Sequence, residues 1–267
     1  MLRKRGVQTS RFFYYQSRIN LKNIKLTVAY DGSAYHGWQR QKNALTVQQI
    51  LEEKISLMVR SSVTIIGSGR TDAGVHAAGQ VCNFFHNSKI KAEDMIKGLN
   101  AILPDSIFIK DAVEVPESFH SRYSATAKTY NYVILNRREP DIFKRNYLWH
   151  IKKILDIDSM KYCLARLEGS FDFSSFMASG SKSQNNTIRT IFMAKLNVYD
   201  HGIINIILKA NGFLRHMVRN IVGTIVEVGL GKRSTAEFVD ILAAKDRKAA
   251  GKTAPAQGLF LMEVEYN

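Results

Sequence analysis

Apolar and polar residues alternate over residues 24–30, with Ile24, Leu26, Val28 and Tyr30 on one side and Lys25, Thr27 and Ala29 on the other. That period of two predicts a half-buried strand, closed by Asp31-Gly32-Ser33. The period then lengthens. Val47, Ile50, Leu51, Ile55 and Met58 recur at helical spacing behind Thr46-Val47-Gln48-Gln49, which reads as a capping box. Apolar runs at residues 63–66 and 80–85 predict two strands around a glycine-rich loop. Residues 92–103 read as a helix stopped by Pro104, and residues 107–115 and 127–135 as strands. In the second half, residues 159–167 predict an amphipathic helix closed by Gly169. Residues 188–199 and 203–210 predict strands joined through Asp200-His201-Gly202. A helix is expected over residues 213–228. Ser234-Thr235-Ala236-Glu237 is a second capping box opening a helix to about Lys245, and residues 259–266 alternate as a last strand.

Strands and helices mix without strict βαβ alternation, so the expected fold class is α+β with a mostly antiparallel sheet. The two halves are alike in element order, with no clear sequence repeat. They suggest pseudo-symmetric subdomains, residues 23–127 and 128–267, behind an extension of residues 1–22.

Charge narrows the partner. The 267 residues are 45% hydrophobic, enough for a sizeable core, and carry 38 Lys+Arg against 23 Asp+Glu, a formal +15. That excess fits a polyanionic partner, either nucleic acid or an anionic membrane; a basic surface kept for solubility is the bland alternative. No run of about 18 apolar residues is present. The longest apolar helix pattern, residues 213–228, is broken by Arg215, His216, Arg219, Asn220 and Glu227. The two cysteines, Cys82 and Cys163, sit in apolar patterns without zinc-ligand spacing, which points to a reducing cytoplasm and no structural metal. The extension carries Arg3, Lys4, Arg5, Arg11, Arg18 and Lys22, an aromatic knot from Phe12 to Tyr15, and no acid. A targeting presequence, an RNA-touching arm and an upstream start-codon artefact all fit it.

The candidate chemistry centres on residues 67–77, Gly-Ser-Gly-Arg-Thr-Asp-Ala-Gly-Val-His-Ala. Glycines at 67, 69 and 74 allow turns that push one side chain, Asp72, into a cleft from a rigid strand end. Arg70, two residues earlier, would favour an ionised carboxylate. Asp72 is then either a nucleophile toward something bound on the basic surface or half of an ordinary pair stitching a turn. Residues 119–132 mix basic, aromatic and small side chains as an RNA cleft does. Phe119, His120, Arg122, Tyr123 and Lys128 stand before Tyr130 and Tyr132, which point the same way on a strand. Arg122 and Lys128 can hold phosphates; both tyrosines also read as core residues with a wet hydroxyl. In residues 209–220, Arg215 and Arg219 are four apart on one flank of a buried helix. Arg219 is either a partner for Asp72 or part of a solvated flank. Residues 179–189, with Lys182 and Arg189, read as a mobile polar loop. Asp72 and His76 make a weak D-x-x-x-H spacing, and a Mg²⁺ nuclease would need more clustered carboxylates. No G-x-S-x-G or P-loop is present.

Taken in order, these segments resemble the tRNA pseudouridine synthase A family over residues 24–266. The resemblance is carried by Tyr30-Asp31-Gly32 with Gly37-Trp38-Gln39-Arg40-Gln41; by residues 69–77 around Asp72; and by Phe119-His120 through Tyr132. It continues in Gly169 with Phe171-Asp172-Phe173, in residues 216–223 around Arg219, and in Ala254-Pro255-Ala256 with Gly258-Leu259. It implies two α/β subdomains sharing a curved antiparallel sheet with a cleft between them. It also implies a homodimer, no metal or organic cofactor, and a substrate uridine at tRNA positions 38, 39 and 40 in the anticodon stem-loop. Asp72 would be the nucleophile, Tyr130 would pack on the target base, Arg70 would help flip it, and Arg219 would pair with Asp72. Phe119, His120, Arg122, Tyr123, Lys128 and Arg189 would contact RNA, with Leu261 a candidate wall of the uracil pocket. Where the family often has two basic residues before the tyrosine, this chain has Lys128 and Thr129. A non-catalytic RNA-binding protein on the same scaffold is the reading from a different class.

Overall fold

The computed structural model describes residues 21–180 and 186–267. Most of the basic extension, and Lys182, lie outside the described residues. The elements run β1 (Lys22–Tyr30), α1 (Val47–Val59), β2 (Ile66–Gly67), β3 (His76–His86), α2 (Ala92–Ile102), β4 (Ile107–Val115) and β5 (Ala125–Asn136). They continue with β6 (Trp149–Ile151), α3 (Ile157–Ala165), β7 (Gly169–Asp172), β8 (Ile188–Tyr199), β9 (Ile203–Ala210), α4 (Met217–Gly229), α5 (Thr235–Ala244) and β10 (Leu259–Tyr266). The strands form one sheet in the order β4-β1-β3-β10-β5-β9-β8-β7, with β2 beside β3 and β6 beside β5. Only β10–β3 and β5–β6 pair in parallel among the described strands. The fold is α+β with a mostly antiparallel sheet. The last strand lies between β3 and β5, so the end of the chain joins the strands of the first half to those of the second.

The alternation read for β1 is the burial pattern: Ile24, Leu26, Val28 and Tyr30 enter one core cluster that continues to Val264. Three elements differ from expectation for local reasons. The apolar run at residues 63–66 is mostly not a strand. Side chains of α1 take its backbone groups instead: Ser56 accepts from the Val63 amide, Glu52 from the Ile65 amide, and Gln48 donates to the Ile65 carbonyl. With those groups used, ladder pairing begins only at Ile66.

The capping box at Thr46 is half made. Thr46 accepts from the Gln49 amide at 3.4 Å, but the Gln49 side chain turns outward to Glu53. The box at Ser234 is complete in both directions. Helix α4 starts at Met217 rather than at Phe213, because His216 takes a left-handed backbone, φ 61°. Arg215 therefore lies before the helix and does not share its flank with Arg219.

Candidate active site

The Asp72 loop is bolted to the sheet from several sides. The Ser68 amide donates to the Val81 carbonyl, its hydroxyl to Gln80, and the Gln80 amide group to the Gly69 carbonyl. Lys128 Nζ, from β5, donates to the Ser68 carbonyl at 2.6 Å. Just before Asp72, the Thr71 hydroxyl meets the Tyr30 hydroxyl at 2.8 Å, and the Thr71 carbonyl accepts from the Trp38 amide. Residues 31–46 lie so close that a Cβ on Gly37, whose φ is +86°, would come within 2.4 Å of the Thr71 carbonyl oxygen. Glycine there is a requirement of that approach.

Asp72 then stands in a cleft of about 1320 Å³ lined by residues from both halves of the sheet. Its Oδ2 accepts from Arg219 Nη1 at 2.9 Å, and Arg219 Nε donates to the Ala254 carbonyl at 2.8 Å. Two anchors fix the guanidinium, and its side chain is only 15% exposed. Such a cation needs a partner when shielded from water, and Asp72 supplies it. Arg70 does not: it is exposed, and its Nε donates to Gln39 Oε1 at 2.9 Å. The expectation that Arg70 is the charge fixed beside Asp72 is therefore corrected; the fixed charge comes from α4. His216 Nε2 lies 3.5 Å from the other oxygen, Asp72 Oδ1. Sequence reasoning passed over His216, because a helix read through residues 213–228 put it among ordinary first-turn residues.

On β5, Tyr130 sits in register between Leu261 of β10 and Leu208 of β9. It lines the cleft, with its ring edge-on to Phe213 at 5.1 Å. Burial, with smaller contributions from Tyr30 and the Asp72 charge, pushes the Tyr130 phenol well above its ordinary range, so it stays protonated at neutral pH. Tyr132 is fully buried, and its hydroxyl donates to the Pro255 carbonyl. Of the two readings offered for this pair, Tyr132 takes the core one and Tyr130 opens on the cleft.

Lys128 also lines the cleft, but as a tether to the Asp72 loop. Burial, and then the charges of Arg122 and Arg189, lower its pKa to about 8. His120, Arg122 and Tyr123 form the rim, with Tyr123 76% exposed and ring centroids of His120 and Tyr123 4.3 Å apart. Their loop is pinned by Asn23, whose amide donates to the Pro116 and Phe119 carbonyls, and by the Ser121–Asn83 bond.

Three expected contacts lie off the cleft lining. Phe119 packs on the Tyr266 ring at 5.0 Å, at the end of β10, and is not on the cleft lining. Leu261 is 1% exposed in the core, beside Tyr130 of β5 and Ala77 of β3; Leu259 is the β10 residue on the lining. Arg189 Nη1 bonds the Asn186 and Ile188 carbonyls, and its charge reaches the cleft through Lys128.

His76 points elsewhere than Asp72. Its Nδ1 accepts from the Gly32 amide and its Nε2 donates to the Asn146 carbonyl, which splits the D-x-x-x-H pair. Among the described residues, no three His, Cys, Asp or Glu side chains are grouped to hold a metal ion, and no helix is long and apolar enough to cross a membrane.

The family described as tRNA pseudouridine synthase matches residues 26–124 and 164–267. The tRNA pseudouridine synthase A of a Thermoanaerobacter species is 50% identical over 246 residues, covering 92% of this chain and 100% of its own. The proteins of the same name from Clostridium kluyveri and Ruminiclostridium cellulolyticum are 46% and 43% identical, each over 92% of this chain and 100% of their own.

Proposed function

The chain belongs to the tRNA pseudouridine synthase family, and from that we propose that the cleft isomerises uridine to pseudouridine in tRNA with Asp72 as the nucleophile. The reaction breaks the N1–C1′ bond, turns the uracil, and forms a C5–C1′ bond; C5 gives up a proton and N1 takes one. A carboxylate serves by adding either to the sugar carbon or to the uracil ring. The observation that carries the reading is the carboxylate itself: Asp72 stands in a cleft of a chain of net charge +15, with one oxygen held by Arg219. A binding protein gains nothing from an anion placed where a polyanion docks.

The target base must first leave its stack, at a cost of about a few kcal/mol. Tyr130 offers a stacking face, and Arg70, exposed at the cleft edge and bonded to Gln39, can occupy the space the base leaves. Arg122, Tyr123 and His120 serve the RNA backbone and flanking bases, while Lys128 holds the Asp72 loop; Leu259 takes the wall role expected of Leu261, while Phe119 and Arg189 support the rim. Residues 23–127 and 128–267 act as the two subdomains that close on the stem-loop. The substrate is the anticodon stem-loop at positions 38, 39 and 40, and the enzyme works as a cytoplasmic homodimer.

Mapping pseudouridine in tRNA incubated with the purified protein tests this. Wild type should modify those positions. Asp72→Asn should bind tRNA with near-native or tighter affinity and form no product, because it keeps the shape and removes a negative charge. Turnover by Asp72→Asn or Asp72→Ala would end the assignment.

A further inference from the structure

His216 has a left-handed backbone, φ 61° and ψ 3°, immediately before α4. That conformation is uncommon outside glycine, although His and Asn adopt it more readily than most, and it persists where the surroundings over-determine it. Here the turn is held by the Met217 amide on the Leu214 carbonyl, the Asn220 amide on the His216 carbonyl, and the Ala178 amide on the Arg215 carbonyl. The turn brings the imidazole beside Asp72. Nε2 is 3.5 Å from Oδ1, the oxygen that Arg219 does not bond.

We propose that His216 is a positioning residue for Asp72: its Nε2–H restrains Oδ1 while Arg219 restrains Oδ2, so the carboxylate cannot turn about its Cβ–Cγ bond. This rests on Asp72 being the nucleophile. A separation of 3.5 Å exceeds that of a formed N–H···O bond, and contacts of this kind commonly tighten in the substrate complex.

The charged groups around the imidazole come from every side: Asp72 from its loop, Arg219 from α4, Arg215 from the preceding turn, and Arg247 from residues 245–254. Burial lowers the imidazole pKa most, Asp72 raises it, and the three arginines lower it further. The ring is neutral near pH 7, and the proton belongs on Nε2, facing the carboxylate. Once protonated, it would form an ion pair with Asp72 and hold the electron pair that attack requires. Activity should therefore fall on the acid side as His216 gains its proton.

The test uses two variants and one titration. His216→Gly keeps the positive φ at no steric cost and removes the donor. It should lower kcat about 10- to 100-fold with little change in KM. His216→Gln supplies an N–H that does not titrate; it should recover most of that loss and lack the acid limb. Folding of both is checked by thermal melting, and if Gly melts early, the comparison of Gln with wild type decides. A folded His216→Gly with wild-type kcat across pH, or a His216→Gln that keeps the wild-type acid limb, overturns the proposal.

The titration needs no activity. The His216 imidazole, followed by NMR, should titrate at lower pH in Asp72→Asn than in wild type, because a carboxylate that raises its pKa is gone. An unmoved midpoint also overturns the proposal. A wild-type protein that shows this coupling yet leaves tRNA unmodified would count against the functional reading instead.

Discussion

Arg219 comes from a helix 147 positions away in the chain and is held at both ends, by Asp72 and by the Ala254 carbonyl. Arg70 is two residues from Asp72, yet it stands in solvent and touches Gln39. Nearness in sequence gave the exposed cation; distance in sequence gave the shielded one held on the carboxylate. The difference is physical. Two residues along a turn carry a long side chain away from its neighbour, whereas α4 is anchored by packing and aims a planar donor fork at one carboxylate. A fixed cation orients the nucleophile before substrate arrives. An exposed one, bonded to Gln39, is available to follow a base out of its stack.

Substitutions at these two positions should separate the roles. Arg219→Ala leaves Asp72 without its partner in a partly shielded site. We expect a rate loss of at least about 100-fold in single turnover and a destabilisation of about 1–3 kcal/mol by denaturant melts. Arg219→Lys keeps the charge but cannot serve Asp72 and Ala254 together, and should recover only part of the rate. Arg70→Ala should melt within about 0.5 kcal/mol of wild type, as exposed positions do, while still slowing the reaction. Equal destabilisation by Arg70→Ala and Arg219→Ala would erase the comparison, and a fast Arg219→Ala would remove the orienting role.

The same contrast explains what could be read from the chain. Patterns set by local chemistry were legible: the alternation of β1, the bounds of β4 and β10, the capping box at Ser234, and a helix end at Pro104, where Leu103 is already extended. The Asp72 loop was legible from its residue types, although of its three glycines only Gly74, φ 76°, takes the left-handed backbone, while Gly67 lies in β2. Illegible were features decided by partners far away in sequence. The run at residues 63–66 reads as a strand until side chains of α1 claim its amides. The turn at His216 has no glycine to announce it. Leu259 and Leu261 share a face of β10 and both are buried in the core, so the alternation does not tell which of them also lines the cleft.

Tyr130 and Tyr132 sharpen the comparison on a single strand, one open to the cleft and the other tied to Pro255. Tyr130→Leu removes a stacking face, worth about 1–3 kcal/mol per base, and should slow the reaction by about 10- to 100-fold. Tyr130→Phe keeps that face and should retain more activity, since a phenol pushed so high is a poor base at neutral pH. Tyr132→Phe should instead cost about 1 kcal/mol in stability by leaving the Pro255 carbonyl unpaired, with a smaller change in rate. Single-turnover rates and melts on the three proteins check this. A Tyr130→Phe slower than Tyr130→Leu would give the hydroxyl the leading part.

The smallest effect concerns Lys128, a cation that belongs to the fixed side although it looks in sequence like a phosphate contact. Its ammonium is held to the Ser68 carbonyl and its pKa is lowered to about 8, first by burial and then by Arg122 and Arg189. In the unfolded chain the same lysine keeps its proton to about 10.4. Between those values the unfolded state binds more protons, so this group makes stability rise with pH across that window. Below pH 8 both states are protonated and the contribution is flat. Lys128→Met should lose the rise, seen as the difference between wild-type and variant melts from pH 7 to 10, while Lys128→Arg, which does not titrate there, should lose it as well. A difference between wild type and variants that stays flat through the window would mean that Lys128 has the same pKa folded and unfolded, which would return it to the set of open phosphate contacts beside Arg122.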